Sequence, residues 1–360
     1  RVTNKIASNY FNGKIEAPKI VVDGQVLASW DLSEEISSQN VKALLGPDIA
    51  LQNFPTRAVT SSEWDGSEMC WRHKPSHYAA IHFHEDDIYD FEWETSLTFK
   101  IPPKMSSGVY VMRIECDGNQ DAMPFYVCPP LGKRSAKLCV LIPTFTYAVY
   151  GNHARPDYDI SWQQRIKDWS AYPYNPAEYP HYGLSTYNCH PDGSGICHAS
   201  HRRPLLNLRP GYITFGDTPC SGLRHFQADS HLISWLHAKN IEYDVITDTE
   251  LQHDGLKAIE DYKAVVTATH PEYHTEQTLN ALRDYRDNGG VLHYLGGNGF
   301  YWRVARHVEN DSLLEIRRAE GGIRAWEAEP GEYYNAFDGT YGGLWRRNGR
   351  TPQALVGVGF

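Results

Sequence analysis

Apolar and polar positions change rhythm about a third of the way along the chain. In the first third the apolar runs are short. "PKIVVDGQVLASWDLS" carries two of them around a turn at Asp23-Gly24, and "YAAIHFHEDD" sets Ile81 and Phe83 on one face against His82 and His84 on the other. "SLTFKIPPKMSSGVYVMRIECD" and "AMPFYVCPP" continue the pattern. Short strands at close spacing, separated by Gly, Pro and Asp, predict an antiparallel β-sandwich-like domain over residues 1–135.

After "PPLGKRSAK" the runs lengthen and alternate with helical patterns. "KLCVLIPT" is continuously apolar from Leu138 to Ile142, as in a strand covered on both faces. "HLISWLHAKN" places Leu232, Trp235 and Leu236 on one helical face; "IEYDVITD" and "KAVVTATH" read as further strands. "EQTLNALRDYRDNGG" reads as a helix capped by Thr275 and ended by Gly289-Gly290, and "GVLHYLGGN" as a fourth strand. Strands alternating with helices predict a doubly wound, mostly parallel α/β domain over residues 136–360. In such sheets ligands sit at the carboxyl ends of the strands.

Three of those ends carry polar clusters. "PTFTY" supplies Tyr147, "THPEYH" supplies His270, Glu272, Tyr273 and His274, and "GGNGF" supplies Asn298. Parallel strands bring these ends to one rim, so His270, Glu272, Asn298 and Tyr147 are expected to converge. The connection from about 145 to 224 is far longer than the few residues usual in this architecture. It is rich in tyrosine, with eight from Tyr147 to Tyr187, which argues for a packed insertion.

Composition narrows the function. A net charge of -10 without a basic stripe argues against nucleic acid. No apolar run is long enough to cross a bilayer, and no membrane association is expected. The chain starts at Arg1, without a signal peptide, and stops inside "ALVGVGF", which reads as a piece cut from a longer polypeptide. Seven cysteines at irregular spacing do not form a disulfide framework, and a reducing cytoplasm is the simplest location.

Two further groups invite a metal reading. His82 and His84 share a strand face, although a solvated face followed by an acidic loop is the preferred reading. Cys189-His190 and Cys197-His198 combine zinc-preferred ligands, but their spacing fits no familiar zinc pattern. Sheets of this glutamine-amidotransferase-like kind also host nucleophiles on a sharp strand-to-helix turn flanked by small residues. The chain has no such turn around Ser or Cys; Cys139 lies inside a strand and "GGNGF" holds an asparagine.

"LIPTFTYAVYGNH", "YGLSTYNCHPDGSG", "LLNLRPGY", "THPEYHTEQTLNALRDYRDNGG", "YLGGNGFYW", "RAWEAEPGEYY" and "YGGLWRRNGR", taken in order, resemble the large (beta) subunit family of N,N-dimethylformamidase. The resemblance runs from about Leu138 to Phe360, and "YFNGKIEAPKI" extends it to the start, so the chain resembles a central fragment of that subunit. It implies one mononuclear Fe(III) held by two tyrosines and a glutamate, which by motif position are Tyr147, Tyr187 and Glu272. Tyr150 and Tyr182 are the tyrosines most easily confused with them. His270 and Asn298 then match the catalytic pair. A further catalytic glutamate is implied beyond Phe360, with Glu327, Glu329 and Glu332 as nearer candidates. Cys189 and Cys197 do not match the family pattern, which weakens the zinc reading there.

The implied chemistry is self-consistent. Phenolate and carboxylate are hard oxygen donors suited to an oxygen-seeking ion. Such an ion polarises an amide carbonyl, imidazole moves protons near neutral pH, and an asparagine amide donates to developing negative charge. The expected activity is hydrolysis of N-substituted formamides to formate and an amine, by an assembly of copies of the chain with a small companion subunit. A cysteine-dependent amidohydrolase using Cys189 or Cys197, and a non-catalytic binding subunit, are the alternatives.

Overall fold

A computed structural model describes residues 2–3, 6–7, 10–155, 160–216, 219–319 and 325–359. Tyr158 of the tyrosine-rich stretch lies outside them. The fold mixes α and β in several small sheets. It divides into two compact units that interleave along the chain: residues 1–91, 181–203 and 304–344 form one, and 92–180, 204–303 and 345–360 the other.

The first unit is built from short antiparallel pairings. Strand Ala80–Phe83 lies between Gly13–Glu16 and Thr56–Val59. Lys19–Val22 and Gln25–Trp30 form a hairpin whose turn residues, Asp23 and Gly24, both have positive φ (50° and 79°). That is the backbone a two-residue hairpin needs to match the strand twist. Strand His198–Ser200 pairs with Leu313–Glu315. Trp30, Leu32, Val41 and Ile81 pack in one small core, and Ile36, Tyr78, Leu313 and Phe337 in another.

The second unit contains a four-stranded sheet in which every neighbouring pair is parallel. Its strands are Leu138–Ile142, Tyr243–Thr247, Ala264–Thr267 and Val291–His293, with the first between the second and third and the fourth outside the third. Alternate residues of the first strand enter opposite cores. Cys139 and Leu141 pack with Leu251, Leu279 and Leu282, from helices Asp248–Asp254 and Glu276–Asp287. Val140 and Ile142 pack with Phe226 and Leu236 of helix Phe226–Ala238. Burial on both faces explains the unbroken apolar run. The hairpin of Gly108–Cys116 with Asn119–Val127 belongs to the same unit.

Some expectations need correction. Residues 91–102 form no strand, so the "SLTFKI" run is not part of a sheet. In helix Phe226–Ala238 the inward stripe is Phe226, Leu232, Ile233 and Leu236, while Trp235 is 52% exposed. The helical period placed Trp235 at the edge of the stripe, and Ile233 took the inward position. Among the described residues no helix is long and apolar enough to cross a membrane.

Candidate active site

The rim of the parallel sheet is assembled by loops that hold one another through backbone groups. The first strand ends at Ile142 and passes through Pro143 into helix Thr144–Val149. The third ends at Thr267 and continues through Thr269, His270, Pro271 and Glu272 to a short pairing of Tyr273–His274 with Trp302–Arg303. Thr146 Oγ1 accepts the N–H groups of both Glu272 and Tyr273 at 3.2 Å. The Glu272 carbonyl accepts from Tyr301 and Trp302, and Phe300 N donates to Pro271 O. The backbone around Glu272 is therefore fixed from two sides.

The Glu272 side chain is 1% exposed and its carboxylate is enclosed by polar partners. Oε2 accepts from the Tyr150 hydroxyl at 2.8 Å and faces His270 Nε2 at 3.0 Å; Oε1 accepts from Asn298 Nδ2 at 3.2 Å. Asn298 N donates to His270 Nδ1 at 3.3 Å. Because Nδ1 is thus an acceptor, the neutral ring carries its proton on Nε2, aimed at Glu272. Arg224 lies 3.4 Å from the same Nε2. Both cannot use that atom at once, and the shorter contact to the carboxylate is the stronger.

Gly297 makes this approach possible. Its φ is +70°, and a Cβ there would lie 2.2 Å from Thr269 O and 2.7 Å from His270 Nδ1. Only glycine combines that backbone with that proximity.

The two tyrosines of the first helix do different things. Tyr147, the expected ligand, is fully buried and its hydroxyl donates to Asp229 Oδ2. Burial, reinforced by the Asp229 charge, pushes its ionisation well above the usual tyrosine range. Asp229 is held in turn by Thr269, whose N–H and hydroxyl donate to Oδ1 at 2.7 and 2.6 Å. Tyr150, one turn later, carries the hydroxyl that reaches Glu272. The Arg224 guanidinium stacks on its ring at 4.5 Å and donates to its oxygen at 3.0 Å.

His225 packs beside this cluster. Its ring centroid is 4.3 Å from that of Tyr150 and 5.7 Å from that of His270. It is buried, and its Nε2 has no hydrogen-bond partner. Burial, with Arg224 and His270 nearby, pushes its ionisation well below the usual histidine range. The backbone there has φ 52° and ψ -125°. A non-glycine residue in that region costs on the order of 1–3 kcal/mol, and such strain concentrates at functional sites.

The structure thus brings together His270, Glu272 and Asn298 as expected, and Tyr150 where Tyr147 was expected. The period of the run "FTYAVY" did not decide between these two tyrosines, because both fall near the strand end. Arg224, His225 and Asp229 were not foreseen. Their only sequence signal is position, at the start of the helix that follows the long insertion. Of the other residues in "THPEYH", Tyr273 is fully buried and His274 bonds Thr278 and the Pro271 carbonyl; burial lowers the His274 pKa to about 4. Tyr187 belongs to the first unit, where the Arg318 guanidinium lies 4.6 Å above its ring.

The two candidate cysteines differ: burial opposes ionisation of both, but at Cys197 the neighbouring His198 and Arg317 outweigh it and lower the thiol below its usual range. Burial, helped by Asp192, raises the Cys189 thiol above its usual range, which leaves it protonated near neutral pH. Cys197 is 3% exposed.

Comparison with known proteins agrees with the motif reading. The family described as "N,N-dimethylformamidase beta subunit-like, C-terminal" matches residues 56–360. The N,N-dimethylformamidase beta subunit of Paracoccus aminophilus is 36% identical over 97% of this chain, and that of an Alcaligenes species is 34% identical over 98%. The chain spans about half the length of each of these relatives (49%). With most of its length matched in this way, the chain belongs to the N,N-dimethylformamidase beta subunit-like family.

Proposed function

We propose that the chain carries the active site of an iron-dependent amide hydrolase, which splits N-substituted formamides such as N,N-dimethylformamide to formate and an amine. The observation that carries this reading is the cluster of Tyr150, His270, Glu272 and Asn298 at the carboxyl end of the parallel sheet. The donor set suits a ferric ion: a phenol oxygen and a carboxylate oxygen, 2.8 Å apart, are hard donors. The unpartnered Nε2 of buried His225 beside them also fits a site that accommodates a polar group. Tyr150 and Glu272 would hold the ion, and the resemblance adds Tyr187 as a further phenolate donor. When bound, the ion supplies Lewis acidity toward an amide carbonyl or a water molecule.

The remaining roles follow from the chain's own groups. His270 rests as the neutral ring with Nε2–H; it carries a proton by first taking one from water, which makes the imidazolium, and then giving one to the leaving amine, which restores the neutral ring. Asn298 keeps that tautomer through its backbone N–H and offers its side-chain amide to oxygen charge as it develops. Arg224 brings positive charge beside the Tyr150 oxygen and offsets that of a phenolate. Thr146 holds the Glu272 backbone in register.

The relatives are named as beta subunits, which supports assembly of this chain with a companion subunit; association with further copies of itself is what the resemblance implies. Seven cysteines at irregular spacing, which suggest no disulfide framework, support a reducing, cytoplasmic setting. Elemental analysis of the full-length protein, paired with a formate-release assay on N,N-dimethylformamide, tests the reading. Bound iron together with formate release is expected. Release that is undiminished after iron is removed, or an iron-loaded protein that releases none, overturns it.

A further inference from the structure

A second group of metal-capable side chains lies wholly within the first unit. His82 lies in strand Ala80–Phe83 and His84 directly follows the strand, with ring centroids 4.1 Å apart. The turn after Cys189 brings up His190, Asp192 and Ser194. His82 Nε2 lies 2.8 Å from Asp192 Oδ2, and His84 Nε2 lies 3.8 Å from the same oxygen. One ligand atom from each of these three residues falls within 4.8 Å of the others. Ligand atoms about 2.0–2.1 Å from a tetrahedral zinc ion lie roughly 3.3 Å from one another, so only small side-chain shifts separate this arrangement from a zinc shell.

The surroundings orient these groups. Asp87 accepts the His84 backbone N–H at 2.9 Å, and its other oxygen lies 3.2 Å from His84 Nδ1. A carboxylate on Nδ1 favours the tautomer that keeps the lone pair on Nε2; Ser194 Oγ lies 3.0 Å from that Nε2, and a metal would take the place of this contact. Asp192 uses Oδ1 for Ser194, accepting its N–H at 2.9 Å and its hydroxyl at 2.6 Å, which leaves Oδ2 turned to the two imidazoles. His190 stacks flat on His84, with centroids 3.6 Å apart and planes within 2°, and bonds Asp86 at 2.7 Å through Nδ1. His84 is 5% exposed. The preferred sequence reading, a solvated strand face, is therefore corrected: burial, stacking and carboxylate partners set these histidines apart from solvent-facing ones. The group opens on a cavity of about 60 Å³ also lined by Ser194, Cys197 and Glu329.

We propose that His82 Nε2, His84 Nε2 and Asp192 Oδ2 bind a zinc ion, with a water from this cavity as fourth ligand. Two imidazoles, one carboxylate and an open position form a recognised zinc set. The ligands come from segments 110 residues apart, so the ion acts as a clip between strand Ala80–Phe83 and the loop of residues 189–195. This site is separate in residues and chemistry from the Tyr150–Glu272 group.

Equilibrium dialysis of the purified chain against Zn²⁺, followed by elemental analysis and thermal unfolding with and without Zn²⁺, tests the assignment. Asp192→Asn and His82→Gln are conservative changes at partly exposed positions, and circular dichroism confirms folding. If one fails to fold, the other decides. Wild type and Glu272→Gln are expected to retain zinc and gain thermal stability from it. Asp192→Asn and His82→Gln are expected to lose both, and Asp87→Asn to bind about 10–100-fold more weakly. Zinc content and thermal gain in Asp192→Asn and His82→Gln equal to wild type overturn the proposal. So does zinc that disappears with Glu272→Gln instead.

Discussion

The Tyr150 hydroxyl donates to Glu272 Oε2 at 2.8 Å, joining residues 122 positions apart in the chain. Tyr147, one helical turn earlier, donates its hydrogen bond to Asp229 instead. This division of labour predicts opposite outcomes for two small substitutions. Tyr150→Phe deletes the oxygen beside Glu272, so the iron-loaded protein should lose visible phenolate-to-iron absorption, most of its iron and its formate release. Tyr147→Phe should keep the colour and the iron. Its cost is stability, on the order of 1–3 kcal/mol, because buried Asp229 loses a donor. Absorption spectra and urea denaturation of both variants check this. Colour lost with Tyr147→Phe and kept with Tyr150→Phe would return the ligand role to Tyr147.

Tyr187 is tested in the same spectrometer. Arg318 covers the face of its ring, and Tyr187→Phe retains that ring, so folding should survive. As a phenolate donor, Tyr187 should take part of the visible band and of the iron with it when its oxygen is removed. An unchanged spectrum with normal turnover would make Tyr187 a packing residue.

His270 and Asn298 should separate from the ligands in their kinetics. His270→Ala removes a proton carrier but neither oxygen donor. Iron and colour are expected to remain while kcat falls by about 10²–10⁴-fold, with KM much less affected. Asn298→Ala frees Glu272 Oε1 and removes an amide donor, and a smaller fall in kcat is expected. Loss of iron from His270→Ala would instead make the imidazole a ligand.

The parallel strands and their capped helix were legible in the sequence because both faces of the sheet are buried. Leu138 to Ile142 reads as continuously apolar, and Thr275 caps its helix as the pattern predicts. His270, Glu272 and Asn298 followed from a single rule about strand ends. What was not legible depended on contacts far apart in sequence. Whether Tyr147 or Tyr150 meets Glu272 is decided by Asp229, which arrives on a later helix and takes the Tyr147 hydroxyl. Arg224 and His225 come from the end of an irregular insertion with no periodicity to read. His82 and His84 alternated like any solvated strand face; Asp87 partners His84 locally, and the other partners come only from the folded loop of residues 189–195.

Gly297→Ala probes the support under His270. A methyl group at this position meets Thr269 O and His270 Nδ1, and φ of +70° is strained for any L side chain. We expect a loss of about 1–3 kcal/mol in stability. Catalysis should fall more than this loss of folded protein explains, because the loop carrying His270 must shift. Urea midpoints read the first effect, and kcat per folded molecule the second. A variant with wild-type kcat per folded molecule would show that the exact loop position does not matter.

Asp248 gives the fold a dependence on pH that is independent of catalysis. Its carboxyl is fully buried; Oδ2 accepts the Phe145 N–H at 2.9 Å, and Oδ1 has no hydrogen-bond partner. Burial raises its pKa from 3.8 to about 8, against the lowering effect of the Phe145 bond. In the unfolded chain the group ionises near its ordinary value of 3.8. Between these values folding takes up a proton, so the contribution to stability is complete below the unfolded pKa and is lost as pH rises toward 8. One proton gives a slope of at most about 1.4 kcal/mol per pH unit. Asp248→Asn replaces the acid with a neutral group of nearly the same shape that still accepts from Phe145. Its stability should therefore lack this slope, and the variant should gain on wild type steadily from about pH 4 to about pH 8. Urea denaturation across that interval measures the difference directly. Curves for the two proteins that run parallel would mean that Asp248 is ionised in the fold, with a compensating partner for its Oδ1.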